Sequence, residues 1–461
     1  MYCCPTGGDN ITENKNARET ALNIIHRTIQ QQAYPNILLD NALSGGHFSP
    51  EDRALVTRLV YGVLENKLYL DWVIQRFSRV KGKKISPWVY DILRLSVFQL
   101  LFLDRVPSFA AVNEGVELTK KYAGGKASGF VNGMLRSIIR SPERTQPPPK
   151  DKDPVLYISV KYSHPKWMVE DWIKSFGTQF TEDLCQANNQ TPGITLRVNI
   201  LKTDRAGLEE ALKQQGITVT GSRYSDSAAV VKGGTGLFFG SAYRKGLFYV
   251  QDESSMLAVE VLDPRPGQLV VDVCSAPGGK ATYAAQLMEN CGRVIARDIS
   301  EGKLKLVKGN CKRLGVTCVE TEVFDALKAD PSLEGKVDRV LVDAPCSGLG
   351  IIRRKPDIKW KKEREHYKAL AGMQGKILRN AAGYLKPGGF LVYSTCTIMP
   401  EENQDVVEGF LKDNPNYRLC DFSMLLPKGL AGEDAKKGYL QLFPNIHGTD
   451  GFFISKMERI K

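Results

Sequence analysis

Two cysteines in this chain stand where a thiol could do chemistry. Val340-Leu341-Val342-Asp343-Ala344-Pro345-Cys346-Ser347-Gly348 reads as an apolar strand running into a proline–glycine turn. Val392-Tyr393-Ser394-Thr395-Cys396-Thr397 reads as a second strand ending on a cysteine. A thiol delivered at the end of a strand, in a cleft, can add to an electrophilic carbon and later leave again. Buried cysteines more commonly serve as small hydrophobes, which is the reading for Cys185, Cys291, Cys311, Cys318 and Cys420. Cys346 and Cys396 differ because both project toward a third segment, built to hold a ligand.

That segment is Leu269-Val270-Val271-Asp272-Val273, followed by Cys274-Ser275-Ala276-Pro277-Gly278-Gly279-Lys280 and a helical stretch from Ala281 to Glu289. A glycine turn between strand and helix lets a ligand approach the backbone at the helix N-terminus. A phosphate-binding Walker loop would need glycine five places before the Gly-Lys pair and a hydroxyl after it, but Cys274 and Ala281 stand there. The G-x-G-x-x-G of dinucleotide sites is absent too. What remains is a nucleoside-type ligand without a pyrophosphate. Asp298 ends the next strand, at the spacing where an acid reaches a ribose diol, and Asp325 ends the third, placed to accept from an adenine amino group. S-adenosylmethionine fits this set, because its sulfonium is favoured by nearby carboxylates. A lone acid after a strand is also an ordinary helix cap.

These segments need a scaffold that brings strand ends together. Strands are expected at 269–273, 293–298, 319–324, 338–342 and 389–394 with helices between them, the pattern of a doubly wound parallel sheet, and runs 439–443 and 451–455 could add a hairpin. Upstream, 155–245 reads as a small α/β domain of ferredoxin-like type, with strands at Thr195–Ile200 and Ile217–Val219 and a helix from Asp204 to Gln215. Its aromatics Phe238, Phe239, Tyr243, Phe248 and Tyr249 lie beside Arg244 and Lys245, and could either stack on bases or fill the core. Residues 11–145 read as helices only. Ser49-Pro50 and Ser86-Pro87 are start signals, and further helices are expected over 16–32, 108–122 and 127–140. The run Pro147-Pro148-Pro149 suggests a linker.

With 461 residues the chain is too long for a single core and fits about three domains. Hydrophobic residues make up 42% and charged residues 25%, which excludes wholesale disorder. The most apolar stretch, Leu93 to Leu103, is interrupted by Arg94, Ser96 and Gln99, so no membrane span is expected, and the N-terminus lacks a secretory pattern. A cytoplasmic protein is expected. No Cys-x2-Cys pair suggests a metal, and none is expected. The net charge is +12. Residues 11–145 hold 19 Lys and Arg against 12 Asp and Glu, and 353–368 hold eight against three. Both can be solvated surfaces; like charge concentrated in 11–145 points to an RNA-facing surface, and 353–368, beside the Cys346 turn, suggests phosphate contacts.

The segments VDVCSAPGGKAT, ARDIS, DAPCSGLG, YSTCT and VQDESSMLA together resemble the RNA cytosine-C5 methyltransferases, nearest to their RsmB/Sun family. LVYGVLEN, LRLSVFQLLFL and VNEGVEL resemble the NusB-like module that precedes the catalytic part in that family, and SHPKWMV and ITLRVNI its intervening segment. Val273, Ser275 and Tyr283 depart from the usual letters, and the first ten residues match nothing. The resemblance implies three parts: a NusB-like RNA-binding domain (11–145), a small α/β segment (155–245) and a Rossmann-like methyltransferase domain (246–461). It implies S-adenosylmethionine as cofactor, held by residues 274–280 with Asp298, Asp325 and Asp343, and a cytosine of 16S ribosomal RNA as substrate. It assigns Cys396 as the nucleophile that adds to carbon 6 of the base, Cys346 as the group assisting breakdown of the adduct, and Asp343 as a hydrogen-bond partner of the N3/N4 edge. Alternatives are a transfer RNA cytosine methyltransferase, or a non-catalytic NusB-like antitermination factor, which would need neither cysteine.

Overall fold

The computed structural model describes residues 16–44, 48–78, 84–234 and 236–461, apart from the side chains of His366 and Lys368. The unassigned first ten residues lie outside that range. The chain forms two compact units: one runs to Asn189 and includes Lys355–Lys361, and the other comprises Gln190–Arg354 and Lys362–Lys461.

The first unit is helical throughout its described residues. Ser49 and Ser86 cap as their sequence signals indicate, each hydroxyl accepting the N–H three residues on (Asp52, 3.1 Å; Val89, 3.4 Å) ahead of helices Pro50–Glu65 and Pro87–Phe102. Helices Ala17–Gln30, Ser108–Ala123 and Gly125–Arg140 follow the expected spans, and Pro35–Leu43 and Lys67–Phe77 are additional. Helix Pro87–Phe102 is buried on most of its circumference, which explains its largely apolar texture. Its polar interruptions are therefore paired: Arg94 with Asp71 (2.6 Å) and Asp91 (2.7 Å), and Gln99 with the Leu95 carbonyl (3.1 Å) and Arg18 (2.7 Å).

The structure departs from the expected boundary here. The division falls after Asn189 and not at the proline run, because helices Pro154–Lys161, Lys166–Phe176 and Thr178–Asn188 belong to the first unit. The segment leading into the prolines is also tied down: Trp72 donates to the Gln146 carbonyl (3.0 Å) and Arg76 to that of Arg144 (2.9 Å).

The second unit contains two sheets. The smaller is antiparallel, ordered β2-β3-β1-β4, from β1 (Thr195–Val198), β2 (Thr218–Gly221), β3 (Ala228–Gly233) and β4 (Phe248–Val250). Phe248 fills its core, Tyr243 and Tyr249 are half-buried, and Phe238 and Phe239 are exposed, so most of the aromatic cluster is packing. The larger sheet comprises β5 (Leu269–Asp272), β6 (Arg293–Asp298), β7 (Val319–Val323), β8 (Val337–Asp343), β9 (Leu385–Thr395), β10 (Tyr417–Leu419), β11 (Tyr439–Leu442) and β12 (Phe452–Arg459). Its order is β10-β12-β9-β8-β5-β6-β7, with β11 also on β12. Strands β5 to β9 pair in parallel and β12 runs antiparallel to β9, so the expected hairpin becomes β11–β12. Order reverses between β5 and β8, where a parallel sheet opens its ligand crevice at the carboxyl ends.

Among the described residues no helix is long and apolar enough to cross a membrane, and no group of three or more His, Cys, Asp or Glu side chains is arranged to hold a metal.

Candidate active site

The carboxyl ends of β5, β6, β8 and β9 carry Asp272, Asp298, Asp343 and, one residue past the strand, Cys396. The two thiols meet: Cys346 Sγ lies 3.0 Å from Cys396 Sγ, joining segments 50 residues apart in sequence. Asp343 faces them with both oxygens engaged, Oδ2 accepting from Lys280 Nζ (2.7 Å) and Oδ1 from the Ser394 hydroxyl (3.0 Å). Burial alone would lower the Lys280 pKa, but the Asp343 carboxylate, helped by Asp272 and Cys396, raises it and keeps the ammonium charged. The sequence reading placed Lys280 in the cofactor loop; the fold turns its side chain toward Asp343.

Each cysteine loop is fixed by backbone contacts. Gly350 N–H donates to the Cys396 carbonyl (3.0 Å), Gly451 N–H donates to the Gly350 carbonyl (2.8 Å), and Asn403 Nδ2 donates to the Thr397 carbonyl (3.1 Å). Ser347 Oγ and Thr397 Oγ1 are 2.9 Å apart. Below the Pro-Cys turn, Arg353 and Arg354 close an ion-pair cluster with Asp450 (2.8 and 2.5 Å), and Arg354 reaches Asp252 (2.6 Å).

That cluster engages two of the eight cations in the basic stretch 353–368, and the fold engages two more. Arg353 and Arg354 are engaged with acids, Lys359 is buried against the Glu65 carbonyl (2.8 Å), and Lys361 pairs with Asp357 (2.9 Å) over the Tyr34 ring. Burial brings the Lys359 pKa down to about 7. A count of charges along a sequence does not reveal which of them the fold has already neutralised.

The glycine loop is formed as expected. Gly278 takes φ +99°, and a Cβ there would sit 3.0 Å from Val307 Cγ1, so both conformation and space demand glycine. Helix Gly279–Leu287 starts on it. Arg197 of β1, fully buried, donates to the Gly279 carbonyl and to Thr282 Oγ1 (3.0 Å), which ties the small sheet to the loop. Asp298 Oδ1 accepts from Ser300 N–H (2.9 Å) and Asp325 Oδ1 from Leu327 N–H (3.0 Å), so one oxygen of each supports its own turn. Burial, then Asp272, Asp343 and Asp298, push the Cys274 thiol far up, which makes it a wall of the site and no nucleophile.

Asp272 was absent from the expected site residues. It is buried, its Oδ1 accepts only weakly from Cys274 N–H (3.3 Å), and its Oδ2 has no hydrogen-bond partner among the described residues, as is true of Ser275 Oγ. Burial and then the Asp343 charge raise its pKa to about 7. Two orphaned polar atoms beside a glycine loop, lined by carboxylates and with its lysine already paired, suit a hydroxylated cation better than a polyphosphate. S-adenosylmethionine is a ligand of that kind.

A pH dependence follows. Between about pH 4 and pH 7 the folded state keeps a proton on Asp272 that an unfolded chain has lost, so this group's contribution to stability falls as pH rises through that window. Binding of a cation beside it should strengthen as Asp272 ionises, by about tenfold between pH 6 and pH 8. Titration calorimetry with S-adenosylmethionine should show this slope and its loss in Asp272→Asn; equal slopes in both proteins would remove Asp272 from the cofactor's surroundings.

Three family models match in chain order: the NusB family over residues 15–140, the RsmF/B-like ferredoxin-like domain over 164–236, and 16S rRNA methyltransferase RsmB/F over 259–458. A Bacillus subtilis (strain 168) protein described as "Probable ribosomal RNA small subunit methyltransferase B" is 41% identical, covering 96% of this chain and 98% of its own. The ribosomal RNA small subunit methyltransferase B of Vibrio cholerae is 32% identical over 91% of this chain and 93% of its own. Among solved structures, the crystal structure of PH0851 gives a TM-score of 0.80 at 27% identity, covering 96% of this chain and 99% of that one. NSun6 from Pyrococcus horikoshii with SFG gives 0.59 at 26%, covering 64% and 98%.

Proposed function

Because the chain belongs to the 16S rRNA methyltransferase RsmB/F family, an RNA methyltransferase family, we propose that it methylates carbon 5 of a cytosine in small-subunit (16S) ribosomal RNA through a covalent bond from Cys396 to carbon 6. The observation that carries this reading is the pair of thiols 3.0 Å apart beside Asp343, at the mouth of the glycine loop.

Carbon 5 of cytosine is too weak a nucleophile to take a methyl group unaided. Addition of the Cys396 thiolate to carbon 6 makes carbon 5 enamine-like. Asp343, held by Lys280 and Ser394, presents an acceptor to the N3/N4 edge and stabilises the protonated ring as the sulfur adds. Residues 274–280 with Asp298, Asp325 and Asp343, and Asp272 beside them, would hold S-adenosylmethionine, which when bound would give its methyl group to carbon 5 as its methyl–sulfur bond breaks and the neutral thioether leaves. The adduct then loses the proton on carbon 5, the carbon–sulfur bond breaks, and Cys396 is expelled; Cys346, in contact with that sulfur, assists this release. The target base must leave its stack to reach the crevice, and the NusB-like helical unit is the proposed RNA anchor.

Bisulfite sequencing of ribosomal and transfer RNA from cells with and without the gene tests the reading. A protected cytosine in 16S RNA should disappear with the gene. Loss at a transfer RNA position would move the substrate, and no loss anywhere would end the cytosine-C5 assignment.

A further inference from the structure

One carboxylate holds the turn that carries Cys346. Both oxygens of Glu402 lie 3.0 Å from the N–H of Ser347, the residue after the cysteine, and Glu402 is completely buried. Its backbone carbonyl accepts the Tyr393 hydroxyl (2.6 Å). Gln374 donates to the Pro345 carbonyl (2.9 Å) and also reaches the Glu402 side chain, and Lys362 is the cation whose field acts on it. Cys346 therefore lies in contact with Cys396 and within the field of the buried Glu402, while the Lys280 ammonium acts on Cys396.

We propose that Glu402 is a positioning residue for the thiol pair: its carboxylate fixes the Pro-Cys turn and disfavours a thiolate at Cys346, leaving Cys396 as the thiol that adds to the base. The inference rests on the reading of Cys396 as nucleophile and adds what selects it. Two thiols 3.0 Å apart cannot both ionise, since like charges at that distance repel strongly in a buried site. The surroundings break the tie: the Glu402 carboxylate holds the N–H of the residue after Cys346, and the field of the Lys280 ammonium acts on Cys396. The hydrogen bond to Cys396, burial, the Cys396 charge and then the Glu402 charge all push Cys346 upward. The groups facing Glu402 are Ser347 from the Pro-Cys turn, Gln374 from helix Arg364–Ala382, Tyr393 from β9, Lys362 and Cys346. Burial brings Glu402 to about 6, so it is charged at neutral pH.

The test is the pH dependence of iodoacetamide alkylation, read by mass spectrometry on the peptide that carries each cysteine, in the full chain without RNA. In a Cys396→Ala background, Glu402→Gln keeps an oxygen for the Ser347 N–H but loses the charge. It should lower the half-maximal pH of Cys346 alkylation by about one unit or more, while Glu402→Asp, which keeps the charge, should not. Identical Cys346 titrations with Glu402 and with Gln would overturn the proposal. A second measurement leaves Glu402 intact: Cys346 in the Cys396→Ala protein should titrate at higher pH than Cys396 in the Cys346→Ala protein. The reverse order would overturn the proposal whether or not the Gln variant folds. Because no RNA is present, this outcome is read separately from the adduct experiment that tests the nucleophile.

Discussion

Cys396→Ala should abolish methylation and every covalent protein–RNA species, whereas Cys346→Ala should accumulate an adduct that survives denaturing electrophoresis and depends on S-adenosylmethionine. The asymmetry follows from the chemistry proposed for two thiols in contact. Without Cys396 there is no sulfur to add to carbon 6, carbon 5 is never activated, and the rate should fall by on the order of 10⁴-fold or more, the scale for removing a covalent nucleophile. Without Cys346 addition and methyl transfer proceed, but the methylated adduct lacks the group that assists its breakdown. An adduct in Cys396→Ala and none in Cys346→Ala would exchange the two roles. Activity retained in both variants would show that cysteine addition is not the route.

Gly350→Ala should cost at least about 100-fold in kcat while S-adenosylmethionine still binds, the scale of an ångström-sized misplacement of reacting groups. Gly350 is where three loops touch. A Cβ there would sit 2.0 Å from the Gly451 carbonyl oxygen and 2.9 Å from that of Cys396. Both obstacles are backbone, so no rotamer change relieves them, and the Gly350–Cys396 hydrogen bond of 3.0 Å must be disturbed. Displacing the Cys396 carbonyl displaces its thiol. Forced overpacking of this kind also costs about 1–3 kcal/mol of stability, readable as a lowered Tm. Gly372→Ala is the control, because its Cβ would meet nothing within 4 Å on helix Arg364–Ala382. Unchanged kcat in Gly350→Ala would mean that the thiol loops tolerate movement and that their backbone contacts do not set the geometry.

Much of the catalytic unit was legible before any coordinates, for reasons of range. A strand of Val and Leu, a glycine turn and a helix are specified by neighbouring residues, so the order of strands, the loop at 274–280 and the placing of Asp298, Asp343 and Cys396 at strand ends follow from period and punctuation. Helix starts at Ser49 and Ser86 were legible for the same reason, since a cap reaches only three residues. The cysteine roles came from resemblance to a family and remain proposals.

Other features had no local signature. The helices at 154–188 join the first unit because of what they pack against, while the proline run, the strongest local breaker, lies inside that unit. The basic stretch at 353–368 looked free to meet phosphate, yet whether a cation is available depends on acids about 100 residues away, as Asp450 and Asp252 show for Arg353 and Arg354. Asp272 read as the last letter of a strand, and only the convergence of β5 with β8 buries it beside a second carboxylate and lifts its pKa to about 7. The contact of the two thiols and the grip of Glu402 on Ser347 likewise join residues 50 and 55 apart. Sequence alone determined which elements form and which chemical groups stand at their ends, because those depend on short-range sterics and hydrogen bonding. Tertiary structure decided which of those groups share a low-dielectric space, and so which charges are paired, which are strained, and which thiol is free to act.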